Sequence, residues 1–241
     1  MFDALSAATR DFFRPRMLGL VLWPLLGSIL LWLVLGFFLW HPLVNGLQNL
    51  ASVPALRNLL GDRVLHWISS FSVLITLLLL LPPLVQATAL LITATVAMPV
   101  MLKDVSARDY AQLERRRGGG IAGSIWNALA ATAVYLLLWL LTLPLWFFGI
   151  PALLLPIVLG GWYNDRLFRY DALAEHASGD EYALLRRRAG GQFFLLGCVG
   201  AAIQLVPLLN LIAPVYSGLC FVHLGLAELA RLRAGQAPAR S

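Results

Sequence analysis

Apolar residues run through this chain in long blocks free of Asp, Glu, Lys and Arg, at 17–40, 67–102, 121–164 and 189–227. The charged residues are gathered in the segments between the blocks and at the two ends. A helix needs about 20 apolar residues to cross roughly 30 Å of hydrocarbon, so 17–40 predicts one transmembrane helix. The 36 residues of the second block would extend about 54 Å as a straight helix, more than a bilayer core. Pro82 and Pro83 divide it, since each removes a backbone donor and crowds the preceding turn. The pattern predicts a second transmembrane helix broken there, with limbs near 67–81 and 84–102. Gln86, Thr88, Thr93 and Thr95 follow the break and suit the compensation of freed backbone groups.

The flanks carry their own patterns. Residues 1–16 combine Phe2, Leu5, Phe12 and Phe13 with Arg10 and Arg14, which predicts an interfacial N-terminal arm feeding the first crossing. The apolar run after it is too long for a signal peptide, and no small-residue cleavage site follows closely. Residues 41–66 place Leu47, Leu50, Val53 and Leu56 three apart, as in a helix lying on an interface. That segment holds only Arg57 and Arg63. Segment 103–117 has Lys103, Arg108 and Arg115 to Arg117, and 165–188 has Arg166, Arg169 and Arg186 to Arg188. The positive-inside rule therefore puts 41–66 outside and the remaining loops, with both termini, in the cytoplasm. Residues 234–241 read as a disordered tail.

This orientation makes blocks three and four begin and end on the same side. Each must enter and return as a helical hairpin. The first turn falls around Phe148-Gly149-Ile150-Pro151, between Pro144 and Pro156. The second falls around Val206-Pro207-Leu208-Leu209-Asn210, with Pro214 restarting the chain. The limb 192–206 is short for a crossing, and the turns lack charge, so the expectation is re-entrant or hemi-penetrating hairpins. The fold class is thus an all-α integral membrane protein forming one membrane domain over 1–241. It has two long transmembrane helices, the second broken, and two such hairpins.

Composition agrees: 60% of the 241 residues are apolar and 12% charged, against about 25% charged in soluble domains. A water-soluble enzyme and a disordered chain are excluded, and the net charge of +6 lies between apolar blocks, not on a nucleic-acid-facing stripe. No nucleic-acid partner is expected. Arg115 to Arg117 and Arg186 to Arg188 read as anchors for anionic lipid head groups; their sharper reading is a funnel gathering anions, blunted at 165–188 by salt bridges within a short helical hairpin. Cys198 and Cys220 read as small buried thiols, and no metal-spaced cluster, nucleophile motif or P-loop occurs, so neither a metal, a cofactor nor an enzymatic activity is expected. Gly118 to Gly120 read as a flexible re-entry turn. His223 is expected to be a buried, hydrogen-bonded histidine, and the absence of internal carboxylates argues against a proton relay.

A hairpin that turns inside the membrane starts its second helix there. The free N–H groups and positive dipole end of that helix make an anion site without a buried cation. The candidate residues are Gly149 and Pro151 at one turn, and Pro207, Asn210 and Pro214 at the other.

Two stretches carry a family resemblance: Phe13-Arg14-Pro15 leading to Val21-Leu22-Trp23-Pro24-Leu25, and Val206-Pro207-Leu208-Leu209-Asn210-Leu211-Ile212-Ala213-Pro214. Over about residues 5–230 the chain resembles the CysZ-type sulfate permeases, the bacterial branch of the etoposide-induced-protein domain family. The second stretch is similar to that family's Pro-x-x-Asn-x-x-x-Pro turn. The resemblance implies two long crossings, two partial hairpins and sulfate permeation through a bacterial inner membrane. It also implies an anion-binding Pro-Gly-Leu-Arg stretch at the first long helix. After Pro15 this chain has Arg16, Met17 and Leu18 instead: the glycine is absent and the arginine stands two positions earlier, about 200° around a helix. Arg16 is the candidate that remains. The expected function is a multi-pass inner-membrane permease for a small, sulfate-like inorganic anion, acting as a homo-oligomer that covers the hairpin tips. The alternative is a non-transporting membrane scaffold or envelope-assembly protein on the same fold.

Overall fold

The structure is a computed structural model that describes residues 2–51, 83–147, 149–206 and 209–236. The described residues are helical almost throughout and contain no strand. Helix α1 spans Phe2–Phe12 and α2 spans Pro15–Ala51. Helix α3 covers Pro83–Asp109, interrupted by a π-turn at Thr93–Ala97. Helices α4 (Ile121–Thr142), α5 (Ile150–Ala174), α6 (Gly179–Gln204) and α7 (Leu209–Gln236) follow, with a 3₁₀ turn at Leu143–Phe147. Two compact units divide them: Met1–Leu25 with Ala89–Ser241, and Leu26–Thr88. The second unit's described residues are the later part of α2 and the start of α3, with Leu30, Leu33, Phe37 and Phe38 exposed on α2.

Four described stretches are long and apolar enough to cross a membrane: Pro15–Phe38, Pro83–Asp109, Ala122–Trp146 and Ile212–Gly235. Helices α5 and α6 are absent from that set because the half of each beyond the apolar block carries charge, as with Asp165, Arg166 and Arg169 on α5. Each pair α4–α5 and α6–α7 thus joins one long apolar helix to one whose apolar part is short.

Several boundaries differ from those the charge pattern sets. Helix α2 has no break at 40/41; His41 and Pro42 lie within it, because backbone hydrogen bonding continues wherever helical φ and ψ persist, whatever the polarity of the side chains. The rest of the outer segment, from 52 to 66, lies outside the described residues, as does Pro82. Pro83 is helical. Helix α7 reaches Gln236, overlapping the expected tail, of which 237–241 lie outside the described residues. Likewise α6 runs unbroken from Gly179 across Arg186 to Arg188, so the limb expected at 192–206 is the end of a longer helix.

The π-turn has a local cause. Pro99 stands at the start of the α-helical stretch Met98–Asp109 and lacks the N–H that would close a bond to Thr95. The ladder shifts by one residue just before it, and the Met98 N–H donates to the Thr93 carbonyl. Thr88, Thr93 and Thr95 donate back to carbonyls four residues earlier in the same helix, those of Leu84, Ala89 and Leu91, at 2.7, 2.8 and 2.8 Å.

In the larger unit, α5, α6 and α7 pack through glycines. A Cβ on Gly197 would strike the Gly161 carbonyl oxygen, and one on Gly200 would strike Ser217 Oγ. Asn164 Nδ2 donates to the Gly197 carbonyl at 3.0 Å across the same seam. Phe168 and Phe193 flank Phe221 at centroid distances of 5.7 and 6.0 Å. Helix α4 joins α5 by a ring stack, Tyr135 on Tyr163 at 4.6 Å. The Thr132 hydroxyl donates to the Ala128 carbonyl at 2.7 Å, so Tyr163 donates to Thr132, also at 2.7 Å.

Candidate functional site

The N-terminal helix α1 lies antiparallel along α7. Read from Asp3 to Phe12, its partners run backwards from Arg231 (3.9 Å from Asp3) to Tyr216, whose hydroxyl is 3.0 Å from Thr9 Oγ1 and whose ring meets Phe12 edge-on at 5.8 Å. The amphipathic pattern explains the seat: Ala4, Ala8 and Phe12 are buried and Phe2 is exposed.

One polar residue goes inward with them. Asp11 is fully buried, and its carboxylate is shared by three elements. Arg108 of α3 binds it through Nη2. His223 of α7, itself 2% exposed, places Nε2 at 3.0 Å from Oδ2. Arg14 Nε stands 3.3 Å from Oδ1. His223 is thus the buried, hydrogen-bonded histidine expected, with a partner from the other end of the chain. Asp11, Asp109 and His223 bring ligand atoms within 4.8 Å of one another, a grouping the spacing of these residues does not suggest. The Arg108 guanidinium already supplies a cation there, through Asp11 and through Asp109 Oδ1 at 3.2 Å.

Arg16, the candidate at the start of α2, belongs to this charged assembly. Its Nη1 is 3.1 Å from Asp104 Oδ1, while Asp104 Oδ2 lies 3.3 Å from Arg108 Nη1. Arg16 is 68% exposed and Asp104 22%. Exposed pairs contribute about 0.2–1 kcal/mol, far less than the buried part of the assembly.

At the two expected turns, α5 begins at Ile150, directly after Gly149, and α6 ends at Gln204 before α7 begins at Leu209. Gly149 takes φ +67°, the left-handed region that glycine enters without strain, and α5 starts at the next residue with no side-chain cap. Asn210 is exposed, and its N–H donates to the Val206 carbonyl at 3.0 Å. Pro151 is in the first turn of α5, where its missing N–H costs nothing. Pro207 lies outside the described residues. Pro214 does not restart the chain; it is buried inside α7, near enough to the helix start that few backbone bonds are lost. The described contacts of Gly149 and Asn210 include neither Arg16 nor each other.

At the charged ends of α5, α6 and α7, Glu181 organises the loops. It completes a capping box with Ser178. Its carboxylate accepts from Arg116 Nη1 at 2.8 Å and from Arg233 Nε and Nη2 at 2.9 and 3.0 Å. The hydrogen bonds from Arg233 lead in holding its pKa down, to about 2. Residues 116–119 donate four backbone bonds to carbonyls of 174–177, and a Cβ on Gly118 would press on Ala177 and Ser178 backbone. The glycine run is therefore a tied-down turn, not a flexible one. Residues 165–188 join α5 to α6 and are balanced only partly within themselves: Arg169 pairs with Asp165 at 3.3 Å, whereas Glu175 and Glu181 pair with Arg115, Arg116 and Arg233 from other segments. Both arginine triplets are exposed, though Arg115 and Arg116 carry the ion pairs to Glu175 and Glu181. Burial pushes Asp171 up to about 6, opposed by a hydrogen bond from Ser124.

Sequence reasoning missed Asp11, Asp104 and Arg108. The one signal was a lone acid between Arg10 and Arg14 on an otherwise basic amphipathic arm.

Comparison with curated proteins and with solved structures gives no match. Comparison with protein families matches residues 4–214 to the family described as Sulfate transporter CysZ/Etoposide-induced protein 2.4. That match takes in three of the four candidate spans whole, together with Gly149 and Asn210. With apolar helices of this number and length, the chain is a multi-pass membrane protein and belongs to the sulfate transporter CysZ/etoposide-induced protein family.

Proposed function

We propose that this protein is an inner-membrane permease for a small oxyanion of the sulfate type, with both termini cytoplasmic. The observation that carries the reading is the family match over residues 4–214. Three features support it. Arg16 offers an exposed guanidinium at the start of α2. The uncapped start of α5 after Gly149 leaves N–H groups and a positive dipole end for an anion. The second turn presents exposed Asn210, flanked by Pro207 and Pro214. Arg186 to Arg188 suit anionic lipid head groups, and a homo-oligomer supplies neighbours for the exposed apolar faces.

The test is sulfate uptake into proteoliposomes of the purified protein, with chloride and phosphate as competitors. Saturable sulfate uptake, competed weakly by chloride, is expected. Asn210→Leu should lower it at least tenfold; unchanged uptake removes Asn210 from the pathway. A folded, inserted protein that moves no anion sinks the permease reading and leaves the membrane scaffold in its place.

A further inference from the structure

We infer that Asp104 is a resident counterion occupying the place on Arg16 that a substrate oxyanion takes, and that it thereby sets the affinity for anions. The inference rests on the reading of Arg16 as an anion-binding residue. Guanidinium groups from two elements converge on one carboxylate: Arg16 Nη1 at 3.1 Å from Oδ1 and Arg108 Nη1 at 3.3 Å from Oδ2. Two guanidinium donors spanning two oxygens form a cradle that a sulfate-like oxyanion matches as well as a carboxylate does.

Two observations make the occupant exchangeable. Arg108 is anchored independently of Asp104, by the fully buried Asp11 and by Asp109, so one wall of the cradle stays in place when Asp104 leaves. Arg16 is 68% exposed, and a pair this open to water is held weakly and screened by salt. The Arg16–Asp104 link is therefore the part of the assembly that an incoming anion breaks most easily.

Charge sets the direction of the effect. Arg10, Arg14, Arg16 and Arg108 face Asp11, Asp104 and Asp109 in this assembly, with His223 beside Asp11. A dianion arriving at Arg16 competes with Asp104 for donors and is repelled by it at short range. Replacing Asp104 by Asn removes both effects and keeps the side chain's size. Sulfate gains more than chloride, because repulsion scales with the ligand's charge.

The experiment measures sulfate uptake in proteoliposomes for wild type, Asp104→Asn, Arg16→Gln and the double variant, with thermal unfolding in detergent, with and without sulfate, as a second readout. The half-saturating sulfate concentration of Asp104→Asn should fall roughly threefold to tenfold, with a larger sulfate-dependent rise in melting temperature. Arg16→Gln and the double variant should both lose saturable uptake. Should Asp104→Asn fail to insert, Asp104→Ser, equally uncharged, carries the same comparison. An unchanged or raised half-saturation in the uncharged variant, beside loss in Arg16→Gln, overturns the counterion and leaves the Arg16 reading standing. Wild-type uptake in Arg16→Gln overturns both. An uncharged variant that neither transports sulfate nor is stabilised by it overturns the counterion alone.

Discussion

Helices α4 and α7 are both long and uncharged over their apolar stretches, yet the molecule treats them oppositely. Helix α4 is the more apolar of the two and the less buried; α7 is less apolar and mostly buried. Trp126, Leu129, Leu137, Leu140 and Leu141 point outward from α4, while Val215, Leu219, Phe221, Val222, Leu224 and Leu226 of α7 are enclosed. In water such an exposed row would be an aggregation hazard. In a bilayer the surrounding solvent is itself apolar, so hydropathy no longer separates inside from outside. Both helices carry partnered polar groups, Asn127 of α4 on the Arg166 carbonyl and His223 of α7 on Asp11. What marks the buried helix is that α1, α3, α5 and α6 all pack on it, whereas α4 packs mainly on α5.

The largest expected effect tests that distinction at its centre. Asp11→Leu leaves His223 and Arg108 without their shared carboxylate, and removing one member of a buried ionic group costs about 3–5 kcal/mol. Because Arg108 keeps Asp104, Asp109 and some exposure to water, the low end is expected, read as a lowered melting temperature in detergent. A change no larger than that from Leu137→Val on α4, expected within about 0.5 kcal/mol, would show that the clasp contributes little to stability.

A smaller effect probes the glycine seam that encloses α7. Gly197→Val drives side-chain atoms into the Gly161 carbonyl, an overpacking that costs about 1–3 kcal/mol. The control is Gly191→Val on the same helix, where a Cβ meets nothing within 4 Å. Equal melting temperatures for the two variants would contradict the close packing of α5 on α6.

The smallest effect depends on pH and touches the charged end of α4 and α5. Asp171, pushed up to about 6, keeps its proton in the folded state over a range where the unfolded chain has lost it. Between the ordinary carboxylate pKa near 4 and about 6 the folded state binds more protons, so this group's contribution to stability falls as pH rises through that window. Asp171→Asn should therefore raise the melting temperature more at pH 8 than at pH 4.5, by at most about 3 kcal/mol equivalent. Glu181 runs the other way. Held down to about 2, it adds stability that is present above its ordinary pKa and is lost only as pH falls toward about 2. A flat difference between Asp171→Asn and wild type across pH would remove the buried carboxylate from this account.

The unbroken uncharged runs determined by themselves that the chain is helical and lives in a membrane, since hydrocarbon demands long apolar helices whatever their neighbours. The start of α5 was legible for a local reason: Gly149 at φ +67° interrupts the helical backbone where it stands. Helix lengths were less legible, because charge locates the membrane boundary while backbone hydrogen bonds locate the helix end. The two coincide neither at Trp40 nor at Arg188. What only the tertiary structure decided is which side chains meet. Asp11 and His223 lie 212 residues apart in sequence, and nothing local to either predicts the other. Arg16 illustrates the same limit: its position marked it as a candidate, but its pairing with Asp104, 88 residues away, follows from α1 and α3 both packing on α7. Ion pairs are made by whatever the fold brings within a few ångströms, and a linear pattern records composition along the chain, not proximity across it.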